Sequence, residues 1–101
     1  AKLGLAQTQL LMRTEGLELD VVLDESTKNP ADISLQLKAA DVEIVNGGVE
    51  AGFARLIQAV RSTSGDERTK VKDHLLNLFA LVDQSDPRLV AARKELASAL
   101  F

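Results

Sequence analysis

Apolar residues recur along this chain at spacings of three and four, the period of a helix with one face turned inward. Leu3, Ala6, Leu10 and Leu11 mark a first helix from Ala1 to about Thr14. Leu19, Val22 and Leu23 mark a second, ending near Lys28, although its Val21-Val22 pair carries the strand bias of β-branched residues. Ile33, Leu37, Ala40 and Ile44 share one side of a third, which runs to about Asn46. Phe53, Leu56, Ile57 and Val60 form the buried side of a fourth, from Val49 to Thr63. Val71, Leu75, Leu78 and Val82 define a fifth, and Leu89, Ala92, Leu96 and Leu100 define a last helix ending at Phe101. No segment alternates with period two, so no sheet is predicted.

The residues between these segments are helix stops and starts. Gly16 is placed to close the first helix in the left-handed conformation, and Gly47-Gly48 breaks the third from the fourth. Asn29-Pro30-Ala31-Asp32 opens the third helix, where either Asn29 or Asp32 can cap the free N–H groups. Ser64 and Glu67 have the spacing of a reciprocal capping box, and Asp86-Pro87 repeats the cap-then-proline signal. Six helices with connections this short make antiparallel neighbours. The expected fold is all-α, built from stacked antiparallel helical hairpins in one domain spanning 1–101. Its divisions are a degenerate hairpin over 1–28, a repeat-like hairpin over 29–64 and a C-terminal hairpin over 65–101.

Composition narrows the function classes. Hydrophobic residues are 46% of the chain and charged residues 27%, a globular balance, and the only aromatics are three Phe. A net charge of −3 is opposite to the basic excess that phosphate neutralisation needs, so no nucleic-acid partner is expected. No apolar run reaches the roughly 18 residues of a membrane span, and no membrane partner is expected. Cysteine is absent, which removes thiolate chemistry from these residues and fits a cytoplasmic location. Ala1 already reads as helix interior, so the chain is expected to be a piece of a longer protein.

The segment from Ile33 to about Ser64 resembles a tetratricopeptide repeat, a helix–turn–helix unit of about 34 residues. Ala39 and Ala40 stand at paired positions of the first helix, and Gly47 falls at the turn. Gly52, Leu56 and Ala59 occupy the small, large and small positions of the second helix, while Asn29-Pro30 resembles the end of a preceding repeat. Two positions depart from the pattern: Gln36 replaces a bulky aromatic, and Glu43 a large apolar residue. Further on, Gly65-Asp66-Glu67-Arg68-Thr69-Lys70, Asp86-Pro87 and the run Arg93 to Phe101 resemble the ending of thioredoxin-like proteins that carry appended tetratricopeptide repeats. Gly4-Leu5 and Asn29-Pro30-Ala31-Asp32 sit at matching places upstream. The resemblance implies a bacterial co-chaperone whose thioredoxin fold would precede Ala1, with protein partners: unfolded clients, chaperones, or that thioredoxin domain.

Candidate chemistry is sparse. His74, the one histidine, neighbours Asp73, but adjacent helical residues point about 100° apart and no nucleophile accompanies them. A surface or boundary histidine is expected, with no catalytic residues, no metal ligands and no cofactor. Arg61, Arg68, Lys70 and Lys72 are interleaved with Asp66, Glu67 and Asp73, which reads as solvated helix surface. Asp20, Asp24 and Glu25 read the same way. By resemblance, the inner face of the repeat's first helix lines a groove for a partner segment, and the matching positions are Leu37, Lys38, Asp41, Ile44 and Val45. Only Lys38, opposed by Asp41, could grip a terminal carboxylate, so apolar contact through Leu37, Ile44 and Val45 is favoured over a carboxylate clamp. The leading function is therefore a non-enzymatic protein-interaction module. The alternative is a structural or dimerisation domain acting through Leu96, Leu100 and Phe101.

Overall fold

The computed structural model describes the backbone of residues 2–100 and the side chains of residues 7–100. Leu3, Ala6 and Phe101 as apolar contacts, and Gly4-Leu5 as a motif, therefore lie outside the described residues. Six helices occur among the described residues: α1 (Lys2–Thr14), α2 (Leu19–Lys28), α3 (Ile33–Val45), α4 (Val49–Ser62), α5 (Gly65–Phe79) and α6 (Pro87–Leu100). No strand occurs among the described residues. The all-α expectation and the element order both hold.

The boundaries follow from local chemistry. Gly16 at φ +78° and Gly47 at φ +90° end α1 and α3 in a conformation that a Cβ would strain. Asp32, not Asn29, caps α3: its Oδ1 accepts the Leu35 N–H at 3.1 Å. The Asn29 side chain instead donates to the Glu25 carbonyl at 3.0 Å and closes α2. Before α6, Asp86 Oδ1 accepts the Arg88 N–H at 2.8 Å while Pro87 fills the first turn. The capping box at Ser64 does not form, since the Ser64 side chain makes no cap hydrogen bond. Gly65 enters α5 at φ +60°, so the first turn is not the regular helix that a capping box requires.

α3 and α4 form the closest pair, α2 and α1 pack on α3, and α5 and α6 pack on α4. The α3–α4 approach explains the small residue at Gly52: an added Cβ would lie 2.8 Å from Ile44 Cγ1 and 3.1 Å from the Ala40 carbonyl oxygen. Around this pair runs one core that includes Leu37, Ala40, Phe53, Leu56, Ile57, Val60, Val71, Leu75, Leu78 and Leu89. Phe53 and Phe79 meet edge to face at 4.9 Å, the arrangement that ring quadrupoles favour. A smaller cluster of Val22, Ala39 and Val42, with Leu17, Leu19 and Leu23 against it, fastens α2 to the other side of α3.

Three expected core positions sit elsewhere. Leu11 is 58% exposed, while its neighbours on α1, Leu10 and Thr14, are buried. Val82 lies beyond the end of α5 and only edges the core. Leu100 is 39% exposed, one turn past Leu96, where α6 runs out from the body. Leu96 itself is buried and belongs to the core.

Candidate functional site

α3 is covered on two sides, and each side carries a buried carboxylate. Asp41 and Glu43 are two residues apart, about 200° around a helix, so they face nearly opposite directions. Asp41, 5% exposed, faces α1 and α5. Arg13 on α1 grips it bidentately, Nε to Oδ2 at 2.8 Å and Nη2 to Oδ1 at 3.0 Å. His74 on α5 places its Nε2 2.8 Å from Oδ1. Burial pushes the Asp41 carboxyl up, but the hydrogen bonds and charges of His74 and Arg13 outweigh it and hold the group below the ordinary carboxylate value. One residue from each of α1, α3 and α5 thus forms a single tie.

Beside the tie lies a recess of about 250 Å³, bordered by Arg13, Leu17, Ser34, Leu37, Lys38 and Asp41. The five candidate positions fall within or next to this face, in unequal roles. Leu37 is 8% exposed and belongs to the core. Asp41 is committed to Arg13 and His74. Ile44 is half-buried against the α4 backbone at Gly52. Lys38 and Val45 are exposed, so they are the two that a partner can touch directly. Arg13 joins them, its side chain 43% exposed despite the ion pair. His74 is half-buried, with Asp41 rather than its sequence neighbour Asp73 as its partner. The arrangement positions and holds charge; its carboxylate is already saturated by donors.

The other side of α3 explains both departures from the repeat pattern. Arg55 on α4 donates from Nε to Glu43 Oε1 at 2.6 Å, and from Nη1 to Gln36 Oε1 at 2.9 Å and Ser26 Oγ at 3.0 Å. The Gln36 amide returns to the carbonyls of Ser26 at 3.0 Å and Asn29 at 3.3 Å. Gln36 and Glu43 are seven apart and so share a face, where one guanidinium answers both. Among the described residues no buried side-chain N or O atom lacks a partner. Two polar residues at positions meant for large apolar ones were the available signal that a buried partner existed; the sequence did not say which residue.

The stretch read as solvated surface also has one exception. Arg68 Nε donates to the carbonyls of Val60 and Thr63 at 3.1 and 2.8 Å, fastening the end of α4. Arg61 and Lys70 are exposed, and Asp24 pairs with Lys28 in solvent.

A tetratricopeptide-repeat family profile matches residues 12–101. With six helices in this order, the chain belongs to the tetratricopeptide-repeat family. It is 43% identical over all 101 residues to an uncharacterized protein of Mycobacterium tuberculosis (strain ATCC 25618 / H37Rv) and to one of Mycobacterium bovis (strain ATCC BAA-935 / AF2122/97). It covers 33% of each, so the chain spans about a third of the length of the curated relatives it matches. No solved structure matches it significantly.

Proposed function

We propose that this chain is the partner-binding module of a longer thioredoxin-like co-chaperone acting in the cytoplasm, and that partners dock on the face shared by α1, α3 and α5. Repeat domains of this class generally bind proteins and are generally non-catalytic, presenting stacked helices as a concave surface. The single observation that carries the reading is the recess beside Asp41, where exposed Lys38 and Arg13 stand next to Leu17 and Leu37. The thioredoxin-like context rests on the resemblance of residues 65–101 to that family's ending, and the greater length of the relatives leaves room for a second fold.

Partner segments of mixed character suit this face: an apolar residue against Leu17 and Val45, with an acidic one towards Lys38 and Arg13. Leu37→Asp is the wrong probe, because Leu37 is core and its loss would unfold the domain. Lys38→Glu combined with Val45→Asp changes two exposed side chains and leaves the fold intact. The expected outcome is at least tenfold weaker capture of a chemically unfolded model protein, with unchanged thermal melting. Equal capture by the doubly substituted chain would sink the assignment. A separate check is the rest of the relatives' sequence: a thioredoxin fold there supports the co-chaperone context, and its absence removes it while leaving the binding module standing.

A further inference from the structure

A second recess lies between α4 and α6, lined by no residue of the Asp41 face. Small side chains open it, Ala54 on one wall and Ala91 on the other, and its volume is about 280 Å³. The floor is Phe53, Ile57 and Ala92, all part of the core, so the surface beneath an occupant is apolar and rigid. At the Gly47-Gly48 turn it continues into a more open depression of about 540 Å³ that shares Glu50, Ala54 and Arg88.

The charges at the rim are not balanced. Arg88 is occupied: its guanidinium donates to both oxygens of Asp86, at 3.1 and 2.7 Å. Glu50 and Glu95 are exposed and neither forms an ion pair among the described residues, although Glu50 lies near enough to the Arg88 guanidinium to help hold it charged. With Arg88 set against Asp86 and Glu50 together, the rim keeps an excess of negative charge: an acidic occupant would be repelled, and a wholly apolar one would strip water from the carboxylates without return. A long basic side chain satisfies both parts, since its methylene stem covers apolar surface while its head stays polar. We propose that the α4–α6 recess seats one arginine or lysine side chain of a protein partner, its stem on Phe53, Ile57 and Ala92 and its head at the carboxylate rim to which Glu50 and Glu95 contribute.

This surface is separate from the α1–α3–α5 face, so either assignment can fail without the other. The test uses isotope-labelled chain and two capped synthetic peptides of one length, one with a central arginine between leucines and one with glutamine in its place. The arginine peptide is expected to move the amide signals of Ala54, Ala91 and Ala92, to bind at least tenfold more tightly than the glutamine peptide, and to weaken as salt is raised. Glu50→Gln with Glu95→Gln, both at exposed positions, should abolish that preference with melting unchanged. Glu50→Lys with Glu95→Lys should reverse it towards a glutamate-centred peptide. Equal shifts from both peptides, shifts confined to α1, α3 and α5, or no shift at millimolar peptide would each overturn the proposal. So would self-association on sedimentation that the glutamine substitutions remove, because a second copy would then be the occupant.

Discussion

The two polar clusters on α3 use the same kind of carboxylate–arginine contact to different ends. The Arg55 cluster joins α2, α3 and α4 through a guanidinium whose side chain is 21% exposed, against a Glu43 side chain that is 10% exposed. The Asp41 tie joins α1, α3 and α5, and its arginine is 43% exposed. Both border a recess, Gln36 and Arg55 one of about 400 Å³ and Arg13 and Asp41 one of about 250 Å³. They differ in depth: the first arginine is mostly covered, while the second keeps much of its side chain in solvent. The two clusters occupy opposite sides of one helix. The Arg55 cluster ties α2, α3 and α4 together, while the Asp41 tie leaves the charges of Arg13 and the neighbouring Lys38 exposed.

The comparison can be broken most severely at Arg55. Arg55→Ala leaves Glu43, Gln36 and Ser26 facing one another without their shared donor, and breaking a largely buried pair in this way costs about 3 kcal/mol. Urea unfolding followed by circular dichroism should show that loss. Arg55→Met together with Glu43→Leu should recover most of it, because the pair is then replaced by the large apolar residue that the repeat pattern expects. Failure to recover would mean that the network does more than fill space.

Asp41→Ala should cost less, about 1–2 kcal/mol, since Arg13 can rehydrate when its partner is gone. The acid limb of stability carries a related signature. A carboxyl held below its ordinary value contributes stability that is present above its unfolded-state pKa and is lost as pH falls through the folded-state value. The midpoint urea concentration, measured from pH 5 downward, should therefore fall less steeply in Asp41→Asn than in the parent chain. An unchanged slope would place acid sensitivity elsewhere. His74→Gln keeps a donor of similar reach near Asp41 but replaces the rigid ring with a flexible amide that must be ordered to make the bond, and a loss of about 0.5–1 kcal/mol is expected by thermal melting. Smallest of all, Lys38→Ala should shift stability by no more than about 0.5 kcal/mol while weakening partner capture, which separates the Asp41 side of α3 from the Arg55 side.

Much of the fold was legible because helices announce themselves locally. The spacing of Phe53, Leu56, Ile57 and Val60 placed the inner face of α4 correctly, and Gly16, Gly47 and Pro87 punctuate where their backbone chemistry requires. Local spacing misled at Ser64, where Gly65 adopts a conformation that cancels the cap, at Leu11, which points about 100° away from its buried neighbour Leu10, and at Leu100, which is exposed at the end of α6. The candidate site was legible only in outline. The repeat resemblance pointed to α3, but it could not distinguish Leu37, which is core, from Lys38, which is exposed.

By itself the sequence determined that this chain is helical, where its helices begin and end to within a few residues, and that its repeat unit is a tetratricopeptide hairpin. Those properties come from backbone conformation and from periodicities within a few residues. Tertiary structure alone decided which charges meet. Arg13 and His74 lie 28 and 33 residues from Asp41, and Arg55 lies 12 from Glu43. A single carboxylate at each site could have been solvated, paired or functional. Only the packing of α1, α2, α4 and α5 around α3 removes water from both carboxylates, and an ion deprived of water must take whichever partner the neighbouring helices supply.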